Sequence, residues 1–240
     1  MDIKTDDKIR FQESYLLFGI EQSEAADLFR KNFSRSKNVD VIISDENGEL
    51  EVTFLTSEQK YFTRIRKHFQ SIFKNYILSA PNKELEEVFF DAVKHKKAIV
   101  STAESVTGGM IASRILNQPG ASEILKEAFI VYSNESKRKI LGVSKEALET
   151  YGAVSEEVAR DLAIKLKEKS KAGIIITSTG IAGPGGGTET NPVGTVYFGF
   201  MLDDSCSVVK KVFSGQRMAV RKKATAFALA YVIDNLRKRG

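Results

Sequence analysis

The spacing of hydrophobic residues changes near residue 80. Ahead of that point, residues 8–18 are rich in apolar and aromatic side chains and predict a strand ending at Gly19. Ser23 predicts the cap of a helix over 24–33. Residues 39–44 and 50–55 read as two strands, joined by Asp45-Glu46-Asn47-Gly48. The Asn-Gly pair there supplies the positive φ of a hairpin turn. Tyr61, Ile65, Phe69, Ile72 and Phe73 recur at helical steps, which predicts an amphipathic helix over 59–76. The order β-α-β-β-α describes a small α+β domain, expected over residues 1–80. Ser79-Ala80-Pro81-Asn82 reads as a linker, because proline disfavours helix in the residue before it. Asn82 predicts the cap of a helix over 83–94.

Beyond the linker the pattern alternates. Strands are predicted over 98–102, 127–132, 174–177, 195–202 and 208–213, with helices over 107–116 and 218–236. Ser144 and Ser155 read as helix caps followed by acidic residues, and Val158, Leu162 and Leu166 line one face of the second of these helices. Strands alternating with helices predict a layered α/β domain, expected over residues 81–240. The chain is α/β as a whole.

Composition narrows the chemistry. No apolar run reaches the ~18–20 residues of a membrane helix, and the polar start MDIKTDDKIRF is unlike a signal peptide. Cys206 is the only cysteine, which fits a reducing, cytoplasmic setting. His68 and His95 are the only histidines, and both lie far from the glycine motifs in sequence. A His/Cys metal site lacks ligands, so no metal and no cofactor is expected. Lys and Arg total 36 against 31 for Asp and Glu, a net charge of +5. The basic clusters at 64–67, 94–97 and 237–239 read as solvated helix faces and ends. Nucleic acid is not an expected partner, since the first domain has no Gly-x-x-Gly loop. The expected partner is a small-molecule nucleotide, handled by a homo-oligomer.

Candidate chemistry lies at two strand ends. STAESVTGG (101–109) and TSTGIAGPGGG (177–187) each follow an apolar run, and ligands of α/β sheets bind at the carboxyl ends of strands. Ser105 is a candidate nucleophile, ahead of a helix start with Thr107, Gly108 and Gly109 that could bind an anion or an oxyanion. The same turn would also serve as a plain helix cap. A serine without a nearby histidine needs another base; Tyr132 and Lys137 follow the next strand and could reach the same pocket. A lysine in that role must be kept neutral, by burial or a neighbouring cation. Thr179, Gly180 and Gly183 allow a close backbone approach to a ligand. The 177–187 motif is neither a P-loop nor a dinucleotide fingerprint. Arg217 and Arg221 lie four residues apart, so they share a helix face that would suit a phosphate.

The strings TAESVTGG (102–109), YSNESK (132–137), GVSKEALETYGAVSEEVA (142–159), TSTGIAGPGGGTETNPVGTVYFGF (177–200) and FSGQR…VR (213–221) resemble, in order, the C-terminal domain of the CinA (competence/damage-inducible protein A) family. Residues 8–78, through LLFGIEQSEAADLF, are more loosely similar to the family's middle domain. The resemblance implies a nicotinamide mononucleotide deamidase that yields nicotinic acid mononucleotide and ammonia. Carried across, it makes Ser105 the nucleophile and Tyr132 and Lys137 its activating partners. It places Thr179 and Gly180 at the nicotinamide end of the substrate, with Arg217 and Arg221 as candidates for its phosphate; Thr107, Gly108, Gly109 and Gly183 are expected about the substrate on the residue reading above. Val106 stands where cysteine is common. The family's first domain, associated with ADP-ribose pyrophosphatase activity, would precede residue 1, so that activity is not implied. The contrasting expectation is a non-catalytic nucleotide- or protein-binding role in competence or the response to DNA damage.

Overall fold

The computed structural model describes residues 11–33, 38–79 and 81–239. Residues 8–10 of the first predicted strand, and Ala80 of the linker, lie outside them. The chain divides into two compact units, residues 1–88 and 89–240.

In the first unit the elements are β1 (Phe11–Leu17), α1 (Gln22–Phe33), β2 (Asp40–Glu46), β3 (Glu49–Thr56) and α2 (Gln59–Ile72). The strands form an antiparallel sheet in the order β1-β3-β2. Asn47 and Gly48 both take positive φ, 57° and 88°, so a two-residue turn of the primed type closes β2 onto β3. Tyr15, Leu17, Val52 and Phe54 pack against Ile65, Phe69 and Phe73. Two local expectations change. Ser23 lies inside α1 rather than ahead of it. Asn82 does not cap a helix, because its side-chain oxygen accepts from the Ser14 amide and its own amide donates to the Ser14 carbonyl. The "linker" is thereby tied to β1, and the next helix, α3, spans Leu85–His95.

The second unit continues with β4 (Val100–Glu104), α4 (Met110–Leu116), β5 (Leu125–Ile130), α5 (Asn134–Leu141), α6 (Lys145–Thr150) and α7 (Glu156–Ser170). It closes with β6 (Ile174–Gly180), β7 (Thr195–Leu202), β8 (Ser205–Val212) and α8 (Arg217–Lys238). The sheet order is β5-β4-β6-β7-β8. β5, β4 and β6 run parallel, and β7 and β8 are antiparallel additions. Parallel neighbours require crossover connections, which α4 and the α5–α7 segment provide. α7 covers one face, setting Leu162 and Leu166 with Ile175 and Met201. On the other face, Phe227 and Tyr231 of α8 pack on Phe198 and Phe200. With both faces covered, β4 is buried throughout, its polar residues Ser101, Thr102 and Glu104 included.

This topology gathers the chemistry at one edge of the sheet. The ends of β4, β5 and β6 lie there, and so does the start of antiparallel β7. The close seating of α7 makes one sharp prediction. A Cβ added at Gly199 would fall 2.2 Å from the Ala159 carbonyl oxygen and 2.6 Å from Thr177 Oγ1. Gly199→Ala is therefore expected to cost about 3 kcal/mol, at the upper end of overpacking penalties. Urea unfolding measures this, and an unchanged midpoint would contradict so tight a seating of α7.

Candidate active site

The turn after β4 is built around a carboxylate. Glu104, the last residue of β4, is only 1% exposed. Its Oε2 accepts from the Thr107 hydroxyl at 2.7 Å and from the amides of Gly109 and Ile111 at 3.0 Å. Its Oε1 accepts from the Ala112 amide at 2.9 Å. An α-helix leaves its first amides without partners, and here a side chain from the preceding strand supplies the acceptors. Reaching them requires the chain to double back. Gly108 and Gly109 allow this at φ 60° and 93°, conformations a residue with a Cβ rarely adopts.

Ser105 sits inside this loop, buried, with its amide donating to the Ser178 carbonyl at 2.9 Å. Lys137 meets it from α5, a helix whose start is fixed by a capping box between Ser133 and Ser136. Lys137 Nζ lies 3.1 Å from Ser105 Oγ, 3.0 Å from the Val131 carbonyl and 3.2 Å from the Tyr132 carbonyl. Lys137 is 2% exposed, and burial pushes its pKa down to about 8. The direction follows from elementary electrostatics, since desolvation disfavours the ammonium form.

The arrangement suits a neutral amine. Such an amine has two protons and one lone pair. The two carbonyls can take the protons, which leaves the lone pair for the Ser105 hydroxyl. The group can then remove the seryl proton without histidine or metal.

Several expected roles change. Tyr132 does not present its hydroxyl to the dyad; its side chain is 67% exposed, and its main-chain carbonyl is the part that meets Lys137. The α4 N-terminus does not wait for an anion, because Glu104 already occupies its amides. Thr107 is fully buried and its hydroxyl lies between Glu104 and Ser178 Oγ, so that hydroxyl is engaged inside the protein. The same holds for Thr179, whose hydroxyl donates to the Ala153 carbonyl at 2.6 Å. Gly180 and Gly183 are also closely packed against the protein itself. Added Cβ atoms would fall 2.5 Å from the Thr195 oxygen and 2.6 Å from Val193 Cγ1 respectively.

Arg217 and Arg221 each bond a different loop. Arg217 is exposed and donates to the Gly183 carbonyl at 3.0 Å. Arg221 donates through Nε to the Val106 carbonyl at 3.1 Å and through Nη2 to the Thr107 carbonyl at 2.8 Å. Sequence reasoning missed Glu104 altogether, although an acidic residue just ahead of a helix start is a known cap signal. Among the described residues, no cluster of three or more His, Cys, Asp and Glu side chains could hold a metal ion. No helix among them is long and apolar enough to cross a membrane.

Comparison with known proteins gives one consistent result. The family described as the CinA C-terminal domain matches residues 82–236. A CinA-like protein of Petrotoga mobilis is 36% identical, with 94% of this chain and 55% of that protein covered. A putative competence-damage inducible protein of Clostridium perfringens is 38% identical, with 98% and 58% covered. The chain thus spans little more than half the length of these relatives. Among solved structures, a competence-damaged protein (CinA) superfamily protein from Escherichia coli is 32% identical at a TM-score of 0.61, covering 63% of this chain and 88% of that one. The competence/damage inducible protein CihA from Agrobacterium tumefaciens is 34% identical at a TM-score of 0.61, covering 64% and 93%.

Proposed function

Because the chain belongs to the CinA family, through the C-terminal domain matched over residues 82–236, we propose that it is a serine–lysine amidohydrolase converting nicotinamide mononucleotide to nicotinic acid mononucleotide and ammonia. The observation that carries this reading is the buried Lys137 amine 3.1 Å from Ser105 Oγ. The substrate comes from the resemblance; the reaction class comes from the dyad.

The steps follow from the geometry. Neutral Lys137 takes the Ser105 proton as Oγ adds to the carboxamide carbon. The resulting ammonium returns that proton to the leaving nitrogen, and ammonia departs as the C–N bond breaks. Water then adds to the acyl-Ser105 ester, with Lys137 again accepting the proton, and the carboxylate product leaves as Ser105 is regenerated. The oxyanion of each tetrahedral intermediate needs donors. With the α4 amides held by Glu104, the turn amides of Val106, Thr107 and Gly108 remain, which have no acceptor among the described residues. Oxyanion donors of this kind are worth about 10²–10³-fold in rate. Arg217, exposed and with donors beyond its bond to Gly183, is the candidate for the phosphate.

The pH dependence tests the base. Lys137 acts only when neutral, and its pKa is lowered to about 8. The kcat/KM for nicotinamide mononucleotide is therefore expected to rise with pH through about 8 and level off above it, since this ratio reports the free enzyme's base. A profile that is flat or falling between pH 7 and 9 would remove Lys137 from that role.

A further inference from the structure

We propose that Glu104 and Arg221 act as paired positioning residues, an anion and a cation gripping opposite polar faces of the Ser105 turn and so fixing the serine hydroxyl against Lys137. The inference rests on the dyad reading above. It goes beyond that reading by giving Arg221 a role in aligning the nucleophile rather than in holding phosphate.

The two grips are complementary. The Glu104 carboxylate collects N–H groups, those of Gly109, Ile111 and Ala112, together with the Thr107 hydroxyl. The Arg221 guanidinium collects carbonyls, those of Val106 and Thr107. Consecutive stretches of the turn are thus held by opposite charges, the carbonyls of Val106 and Thr107 by the cation and the amides from Gly109 onward by the anion. Hydrogen bonds to charged groups are the stronger kind, and a guanidinium presents its donors as a rigid fork. Ser105 lies immediately ahead of the gripped stretches, between Glu104 itself and Val106, whose carbonyl Arg221 holds.

Packing supports the assignment. A Cβ at Gly108 would fall 3.0 Å from Arg221 Nη2, so the guanidinium lies directly against the turn. Ser178 completes the frame from β6, receiving the Ser105 amide on its carbonyl and meeting Thr107 Oγ1 with its hydroxyl at 2.7 Å. Thr107 has a single hydroxyl proton. If that proton goes to Glu104, Ser178 must donate to Thr107, which orders the network from the sheet to the carboxylate. Neither Glu104 nor Arg221 contacts Lys137 or Ser105 Oγ by a hydrogen bond, so their effect on catalysis passes through the placement of the turn.

The test uses two substrates and one covalent probe on the full chain. A fluorophosphonate reports the reactivity of Ser105 without any binding of nucleotide. Arg221→Ala is expected to lower both the labelling rate of Ser105 and kcat by about 10²-fold, the scale of an ångström-sized misplacement, with KM nearly unchanged. The loss should be the same factor on nicotinamide mononucleotide and on nicotinamide riboside, which lacks the phosphate. Arg221→Lys, with a charge but no fork, should recover part of it. Glu104→Gln, which offers one acceptor oxygen where the turn requires two, should match Arg221→Ala if it folds; if it does not, the Arg221 variants decide. Wild-type labelling in Arg221→Ala, or a loss confined to KM for the mononucleotide, would overturn the clamp while leaving the dyad intact. A wild-type Ser105 that takes no probe would instead remove the dyad and the clamp with it.

Discussion

Replacing Lys137 with methionine is expected to lower kcat for nicotinamide mononucleotide by about 10⁴-fold or more, the scale seen when one member of a nucleophile–base unit is removed. Methionine keeps the length and apolar stem of the side chain and deletes the amine. Among the described residues, the deleted group is the only side-chain nitrogen bonded to Ser105 Oγ. Without it the seryl proton has, among the described residues, no acceptor except the Tyr132 carbonyl oxygen, 3.5 Å away and not a base. KM should change little, because Lys137 is buried and its hydrogen bonds all go to protein atoms. The variant will also leave the Val131 and Tyr132 carbonyls without their donor, so its kinetics are to be read on protein with a verified melting transition. A folded Lys137→Met that keeps more than about a tenth of wild-type kcat would rule out a lysine base.

Ser105→Ala carries the second large effect. Removing Oγ removes the atom that forms the acyl-enzyme, and a loss in kcat of about 10⁴-fold or more is expected. The backbone of the turn does not depend on that hydroxyl. The Ser105 amide is held by Ser178, and the neighbouring carbonyls are held by Arg221. Substrate binding, measured by calorimetry with the mononucleotide, should persist. Because the dyad works as a unit, Ser105→Ala combined with Lys137→Met should cost little more than either alone. Near-normal turnover in Ser105→Ala would leave the serine as a structural part of the turn and nothing more.

Much of this was legible in the sequence because it is local. The Asn47-Gly48 turn, the caps at Ser144 and Ser155 and the helical stripe of Val158, Leu162 and Leu166 each depend on residues a few positions apart. The strand-end rule placed Ser105 and the residues after β5 at one edge of the sheet, and the parallel pairing of β4 with β5 brings Lys137 to Ser105. What could not be read depends on distance or on which atom of a residue is used. Arg221 reaches the Ser105 turn across more than a hundred residues, through a packing of α8 on α4 that no periodicity encodes. Tyr132 is at the site through its carbonyl, and a main-chain atom leaves no mark in side-chain identity. Thr107 and Thr179 were expected to face a ligand because hydroxyls near glycines suggest binding. Both are instead consumed by internal acceptors, Glu104 and the Ala153 carbonyl. Glu104 was readable in principle, as an acid next to a helix start, but STAESVTGG draws attention to its serine and glycines.

The helix predicted over 107–116 starts three residues too early for a related reason. α4 begins only at Met110, because Thr107, Gly108 and Gly109 are needed for the turn that folds back onto Glu104. The site is made by delaying the helix, and the delay creates the loop amides proposed to meet the oxyanion.

The most direct test of the central claim is product analysis with purified protein and nicotinamide mononucleotide. The dyad account predicts ammonia and nicotinic acid mononucleotide in equal amounts, with both products lost in Ser105→Ala and in Lys137→Met. Recovery of unchanged substrate, release of free nicotinamide in place of ammonia, or turnover that survives in either variant would contradict it.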